Sequence, residues 1–194
     1  MGKIFYLMGK SAVGKDTLYK RLLADCPELG TVVLYTTRPM REGEQEGREY
    51  HFTDEAELAD FAAAGKVIES RTYETVAGPW TYATVDDGSM DREENLLMIG
   101  TLESYLALRT YFGSDRLIPL YVEADDGDRL ERSLKRERKQ EHPRYAEVCR
   151  RFLADEEDFS EENLAEAGIA RRYRNENLED CLAALENTVR YGII

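Results

Sequence analysis

A chain of 194 residues, 42% of them hydrophobic, is long enough for one domain with a sizeable core. Its formal net charge of −13 repels nucleic-acid backbones and acidic membranes, so neither is expected as a partner, although a soluble surface alone also explains the charge. Three cysteines (Cys26, Cys149 and Cys181) without CxxC spacing argue against a disulfide framework or a zinc site and point to buried or inert thiols in a reducing, cytoplasmic compartment. No stretch has the length of a membrane span, and the first eight residues lack the features of a signal peptide.

In chain order, the apolar run Ile4–Met8 predicts a buried strand, and Asp16–Asp25 predicts a helix with Leu18, Leu22 and Leu23 on one side. Thr31–Tyr35 reads as a second β-rich run, and Pro39–Gly47 as a polar loop. Asp54 and Glu57 form a capping pair for a helix running to about Ala64, with Gly65 at its end. Residues 67–85 are aromatic and broken by Gly78-Pro79, which predicts small strands and turns. Leu96–Ile99 is a buried strand, Thr101–Phe112 a helix ending at Gly113, and Leu117–Val122 a third core strand. The remainder is mostly helical, interrupted at His142-Pro143 and near Gly168. A short apolar step at Ile169-Ala170 precedes a last helix from near Leu178.

Alternation of strands and helices predicts an α/β fold, a parallel sheet with helices on both faces. The expected organisation is a single domain. Its core is about 1–35, 86–128 and 152–194, with a small β-rich insert at about 36–85 and a helical lid at about 129–151. The lid segment holds nine of the 26 Lys and Arg residues of an acidic chain. A solvated helix face accounts for one or two; a mobile cover over a polyphosphate accounts for the cluster.

The sharpest local signal is Gly9-Lys10-Ser11-Ala12-Val13-Gly14-Lys15, then Asp16-Thr17, placed between an apolar strand and a helix as a phosphate loop requires. Glycines let successive amides turn inward on phosphate oxygens, the helix start adds positive potential, and Lys15 supplies a full charge for the β- and γ-phosphates. The template expects Ser or Thr after the lysine. Asp16 stands there instead, either to meet Mg²⁺ as a carboxylate or to cap the helix. Downstream, Arg38 and Arg41 lie three apart in a polar loop that ends in aromatics, an arrangement able to clamp a phosphate monoester with help from the Tyr50 hydroxyl; a merely solvated loop is the alternative.

With the phosphate loop upstream, the run Thr36, Thr37, Arg38, Arg41, Glu44, Gly47 and Tyr50 resembles the guanylate kinase family at matching spacing, and weaker similarity continues over nearly the whole chain. The resemblance implies ATP and Mg²⁺ as cofactors and GMP or dGMP as phosphate acceptor. It places Arg38, Arg41 and Tyr50 on the acceptor phosphate and Glu44 in their hydrogen-bond network. It makes Glu69 a reader of the guanine edge, where N1–H and N2–H₂ are adjacent donors. Tyr82 and Thr84 become hydroxyls for phosphate and base. Arg136 or Arg138, with Arg151, stand as catalytic lid arginines, and Asn175 lies near the adenine. A monomer or homodimer is expected. His51 and His142 read as bystanders.

Three positions depart from the family pattern. Leu34 replaces a serine that contacts guanine, residues 97–101 replace a strand end carrying two aspartates, and Asp16 replaces the loop serine. The opening through Gly14-Lys15-Asp16 and the end Gly100-Thr101 also resemble ribose 1,5-bisphosphate phosphokinase, which gives a sugar phosphate as alternative acceptor. Guanylate-kinase-like modules that only bind proteins are a third reading, opposed by the intact Lys15 and loop glycines.

Overall fold

The protein, described here from a computed structural model, is defined over residues 1–75 and 78–192. Its centre is β1 (Ile4–Met8), five residues that are all buried. A strand apolar on both faces needs cover on both. β1 is the middle of a parallel sheet of order β2-β7-β1-β8-β9, made with β2 (Gly30–Thr31), β7 (Leu96–Ile99), β8 (Leu117–Glu123) and β9 (Arg172–Arg174).

The period-2 alternation of β1 divides the core into two layers. Phe5 and Leu7 pack with Leu18 and Leu22 of α1 (Lys15–Asp25) and with Leu182, Leu185 and Val189 of α7 (Leu178–Tyr191). Ile4, Tyr6 and Met8 pack with Leu102, Tyr105 and Leu108 of α3 (Leu102–Phe112) and with Leu164 of α6 (Glu161–Glu166). The expected α/β architecture is therefore present, with helices on both faces of the sheet.

A second sheet, of order β4-β3-β6-β5, forms the insert from β3 (Tyr35–Thr36), β4 (His51–Phe52), β5 (Val67–Thr75) and β6 (Gly78–Val85). Leu58 of α2 (Glu55–Ala63) closes it against Ala83 and Val85. Asp54 caps that helix by accepting from the Glu57 amide at 2.9 Å, and Thr101 caps α3 through the Ser104 amide. Two further helices, α4 (Asp126–Glu137) and α5 (Tyr145–Asp158), pack against each other.

Three expectations change. The Thr31–Tyr35 run is not one strand: β2 joins the core sheet, β3 joins the insert, and residues 32–34 bridge them. Residues 67–85 form two strands of nine and eight residues in place of short pieces, and residues 76 and 77 lie outside the described residues. The fifth core strand, β9, is Arg-Tyr-Arg rather than the apolar step before it, because as an edge strand it buries only Tyr173.

The strand end of β7 explains one departure from the family pattern. A Cβ built on Gly100 would lie 2.0 Å from the Tyr6 hydroxyl. Tyr6 is 1% exposed and hydrogen-bonded to Ser104 and to the backbone at Thr101. Burial pushes its hydroxyl far above the ordinary phenol range, so it stays protonated, and its oxygen accepts from Ser104 and the Thr101 backbone. The phenol thus fills the space that a side chain at residue 100 would need. Gly100→Ala is expected to cost about 1–3 kcal/mol by overpacking. Combining it with Tyr6→Phe should cost less than the sum of the two single changes, read from urea midpoints; strict additivity would refute the steric coupling.

Candidate active site

Between β1 and α1 the chain winds through Gly9 to Gly14 as a tight loop. Gly14 has φ +97°, and a Cβ there would meet the Asn175 amide nitrogen at 2.5 Å. Ala12, at φ +64°, is the one non-glycine in the left-handed region among the described residues. A right- to left-handed alternation of this kind turns consecutive amides into one concavity, the geometry of an anion nest. The Asn175 side chain is buried and donates to the Val13 carbonyl at 2.7 Å, so it braces the loop from below.

Lys15 opens α1, and its ammonium donates to the carbonyls of Gly9 (2.6 Å) and Lys10 (3.0 Å). Burial pushes its pKa down, opposed chiefly by Asp155 and Asp16. Gly14 is the N-cap of α1, and no side chain caps it. Of the two roles open to Asp16, capping is therefore not the one adopted; its exposed carboxylate faces the cleft beside Lys15 and Thr17. This cleft, about 430 Å³, is bounded by Ser11, Ala12, Gly14 and the arginines Arg132, Arg136 and Arg151.

Helices α4 and α5 present those arginines. Arg129, Arg132 and Arg136 recur at i, i+3 and i+7, one face of α4. Arg151 comes from α5. Arg138 follows the end of α4, exposed and outside the cleft lining. Arg132, which the sequence reading does not single out, reaches toward the carbonyls of Ala12 (3.4 Å) and Asn175 (3.5 Å). Its helical spacing was the available signal.

Arg129, Asp155 and Glu156 are a further group that the sequence reading does not identify. Arg129 is 1% exposed. Its guanidinium donates to the Ser11 carbonyl (3.2 Å), Asp126 (2.5 Å), Asp155 (3.2 Å) and Glu156 (2.7 Å), and it stacks over Phe152. Asp155 also accepts from the Ser11 amide at 2.8 Å, and Glu156 accepts from Lys10 at 2.6 Å. In this state two carboxylates of α5 lie on the phosphate loop.

The insert carries the other half of the site. Thr36 donates to the Thr81 carbonyl (2.9 Å), and Thr37 and Thr81 exchange two further bonds, so the loop that follows leaves β6 at a fixed point. Glu44 then organises the loop. It takes a forked pair of bonds from Arg38 (2.8 and 3.0 Å) and one from the Arg41 amide (2.7 Å). The Arg38 bonds, then the Arg41 amide, hold the Glu44 carboxyl below its usual range. Arg38 is 3% exposed, with its guanidinium over the rings of Tyr50 (5.3 Å) and Phe52 (5.5 Å). The Arg41 side chain is exposed. Tyr50 meets Tyr82 edge-on at 5.6 Å between ring centres.

A β-bulge between Val67 and Glu69 sets Glu69 opposite Thr84, whose hydroxyl donates to it at 2.8 Å. Arg71 is opposite Tyr82 in the same ladder. Arg38, Arg41, Glu44, Tyr50, Tyr82, Thr84 and Glu69 therefore come together on the insert.

A strand, nest and helix with a half-buried lysine, roofed by arginines, define a P-loop protein of the α/β class. The guanylate kinase family model matches residues 1–190. The chain belongs to the guanylate kinase family. The curated guanylate kinase of Nostoc sp. is 42% identical over 72 residues, which are 37% of this chain and 36% of that protein. That of Frankia casuarinae is 46% identical over 63 residues, 32% of this chain and 34% of the relative. The aligned stretches thus span about a third of the length of the curated relatives. The crystal structure of guanylate kinase from Anaplasma phagocytophilum covers 98% of this chain and 86% of its own, with a TM-score of 0.65 at 18% identity, a likeness of fold.

Two outcomes test this geometry. Arg129→Ala removes a buried side chain and the cation shared by the partly exposed Asp126, Asp155 and Glu156, and should destabilise the chain by about 1–3 kcal/mol in denaturant titration. Asp155→Ala frees the Ser11 amide, so calorimetry should find inorganic tripolyphosphate bound about tenfold more tightly, by the loss of one charge-assisted bond that the anion would otherwise displace. Unchanged affinity would place that amide outside the anion nest.

Proposed function

We propose that this chain transfers the γ-phosphoryl group of ATP to the phosphate of GMP or dGMP, giving ADP and GDP or dGDP. The observation that carries the reading is the pairing of an intact Lys15 cleft, roofed by Arg132, Arg136 and Arg151, with an Arg38–Glu44–Arg41 clamp on the insert. Family membership over residues 1–190 supports it.

An acceptor phosphate is already an anion and needs no general base, so catalysis rests on alignment and charge neutralisation. Lys15 and the lid arginines are the groups that spread charge over the transferred phosphoryl. Arg38, fixed by Glu44, and the exposed Arg41 hold the acceptor phosphate, with the Tyr50 and Tyr82 hydroxyls beside them. Glu69, held by Thr84, takes the N1–H and N2–H₂ donors of guanine. Arg138, outside the cleft, has the weakest claim to a lid role. Asn175 acts on the nucleotide through the loop it braces.

The residues fit a magnesium ion that arrives with the nucleotide. Among the described residues no three His, Cys, Asp or Glu converge on one point. Magnesium is commonly held by one or two carboxylates plus substrate phosphates, and Asp16 with Thr17 supplies a carboxylate and a hydroxyl at the cleft. Bound there, the ion would neutralise phosphate charge and orient the donor. Among the described residues no helix is long and apolar enough to cross a membrane, and a cytoplasmic location accords with the reading.

Lys15→Met should lower kcat by at least about 100- to 1,000-fold, the loss typical of one preorganised electrostatic donor; normal turnover would remove the phosphate-loop role. Arg41→Met should raise the acceptor KM about tenfold or more with kcat nearly kept, reflecting a charge-assisted bond held equally in both states. The acceptor itself is tested by ADP release across GMP, dGMP, AMP, CMP, UMP and ribose 1,5-bisphosphate. A sugar phosphate that outcompetes GMP would replace this reading, and no turnover with any acceptor would favour a binding module.

A further inference from the structure

Arg71 of β5 has no role in the scheme above, yet it is built into the acceptor face. Its Nη1 donates to the Thr101 hydroxyl at 3.1 Å, which ties the insert to the N-cap of α3. Its Nε sits 3.3 Å from a Glu69 carboxylate oxygen, and the two side chains are 20% and 9% exposed. That Nε is the one buried side-chain nitrogen or oxygen without a hydrogen-bond partner among the described residues. Paired in charge with Glu69 but not aligned for a hydrogen bond, this donor is left able to turn to an acceptor that a ligand brings.

The surroundings say what ligand chemistry suits it. Leu34, half-buried in the apolar layer with Ile68, offers no donor to a base. The Gly100 position is closed by the Tyr6 hydroxyl, so no carboxylate can stand at that strand end. The side chains left to read the base are a carboxylate, Glu69, steadied by Thr84, and a guanidinium beside it.

We propose that Arg71 is a specificity-determining residue that donates to the O6 carbonyl of guanine while Glu69 accepts from N1–H and N2–H₂; the proposal rests on the GMP-kinase reading of the site. A donor followed by an acceptor matches the guanine edge, which runs acceptor, donor, donor. Adenine reverses the first two positions, with N6–H₂ facing the guanidinium and bare N1 facing the carboxylate. Hypoxanthine keeps O6 and N1–H and lacks only the N2 amine. Arg71 and Glu69 therefore read different atoms, and their losses separate across ligands.

The test is calorimetric binding of GMP, IMP and AMP to wild type, Arg71→Met and Glu69→Gln, with steady-state turnover alongside. Arg71→Met should weaken GMP and IMP by the same factor, about 10- to 100-fold for a charged hydrogen bond, with kcat at saturation and the ATP KM nearly unchanged. It should also narrow the preference of GMP over AMP. Glu69→Gln should weaken GMP more than IMP. A merely structural Arg71 would depress binding of all three ligands alike and lower kcat, and that result overturns the proposal, as does a GMP affinity within twofold of wild type. Should Arg71→Met fail to fold, Arg71→Lys, which keeps the charge and loses the fork, carries the same comparison with a smaller change. A wild-type protein that turns over GMP but ignores the Arg71 change refutes the Arg71 role alone. A wild-type protein that turns over another acceptor and not GMP refutes the reading of the site, and the O6 contact with it.

Discussion

The buried guanidinium of Arg129 is the constraint on which the phosphate-loop half of the molecule depends. From one point on α4 it holds the Ser11 carbonyl, two carboxylates of α5 and one of its own helix. Two helices that sequence composition marks only as basic are thereby joined to the loop whose amides form the nest. A buried cation of this kind persists only because every face of it is met; taking away one partner exposes the desolvation cost of the rest. The loop and its cover accordingly behave as one unit, and the cleft arginines Arg132, Arg136 and Arg151 inherit their positions from it.

The insert is organised the other way round, by an anion. Glu44 gathers one guanidinium and one backbone amide, so Arg38 is fixed and stacked while Arg41 stays extended toward solvent. One arginine serves as rigid wall and the other as adaptable arm. The two halves meet at the β7–α3 junction, where Tyr6, Ser104, Thr101, Arg71 and Glu69 form a polar patch between the sheets.

Much of this was legible in the sequence. Ile4–Met8, Gly9–Lys15 and the helix from Asp16 follow from apolar run, glycine spacing and periodicity, and the cap at Asp54 stands where its side chain predicts. The cluster of Arg38, Arg41 and Glu44 lay within reach of the sequence because its contacts are local, with Glu44 only six residues from Arg38. Long-range pairing stayed hidden. Nothing near Asp155 indicates that it meets Ser11, 144 residues away, and nothing near Tyr6 indicates that its hydroxyl claims the room beside Gly100. The split of residues 31–35 between two sheets was invisible for the same reason, since composition is uniform across it. The bulge that turns Glu69 toward Thr84 leaves no mark in the residue types. β9 escaped because a strand exposed along one side has no apolar signature.

That last strand has a bearing on how the molecule behaves in company. The central sheet ends on one side in β2, two residues long, and on the other in β9, whose Arg172 and Arg174 are both paired with Glu123, Arg172 also with Glu161. A stranger approaching edge-on finds either too short a ladder to extend or a rim of fixed charges, the two devices by which sheets resist end-to-end growth. The apolar middle of the central sheet is thereby kept from pairing edge-on with a second copy, because its borders, and not its middle, decide whether it can be extended.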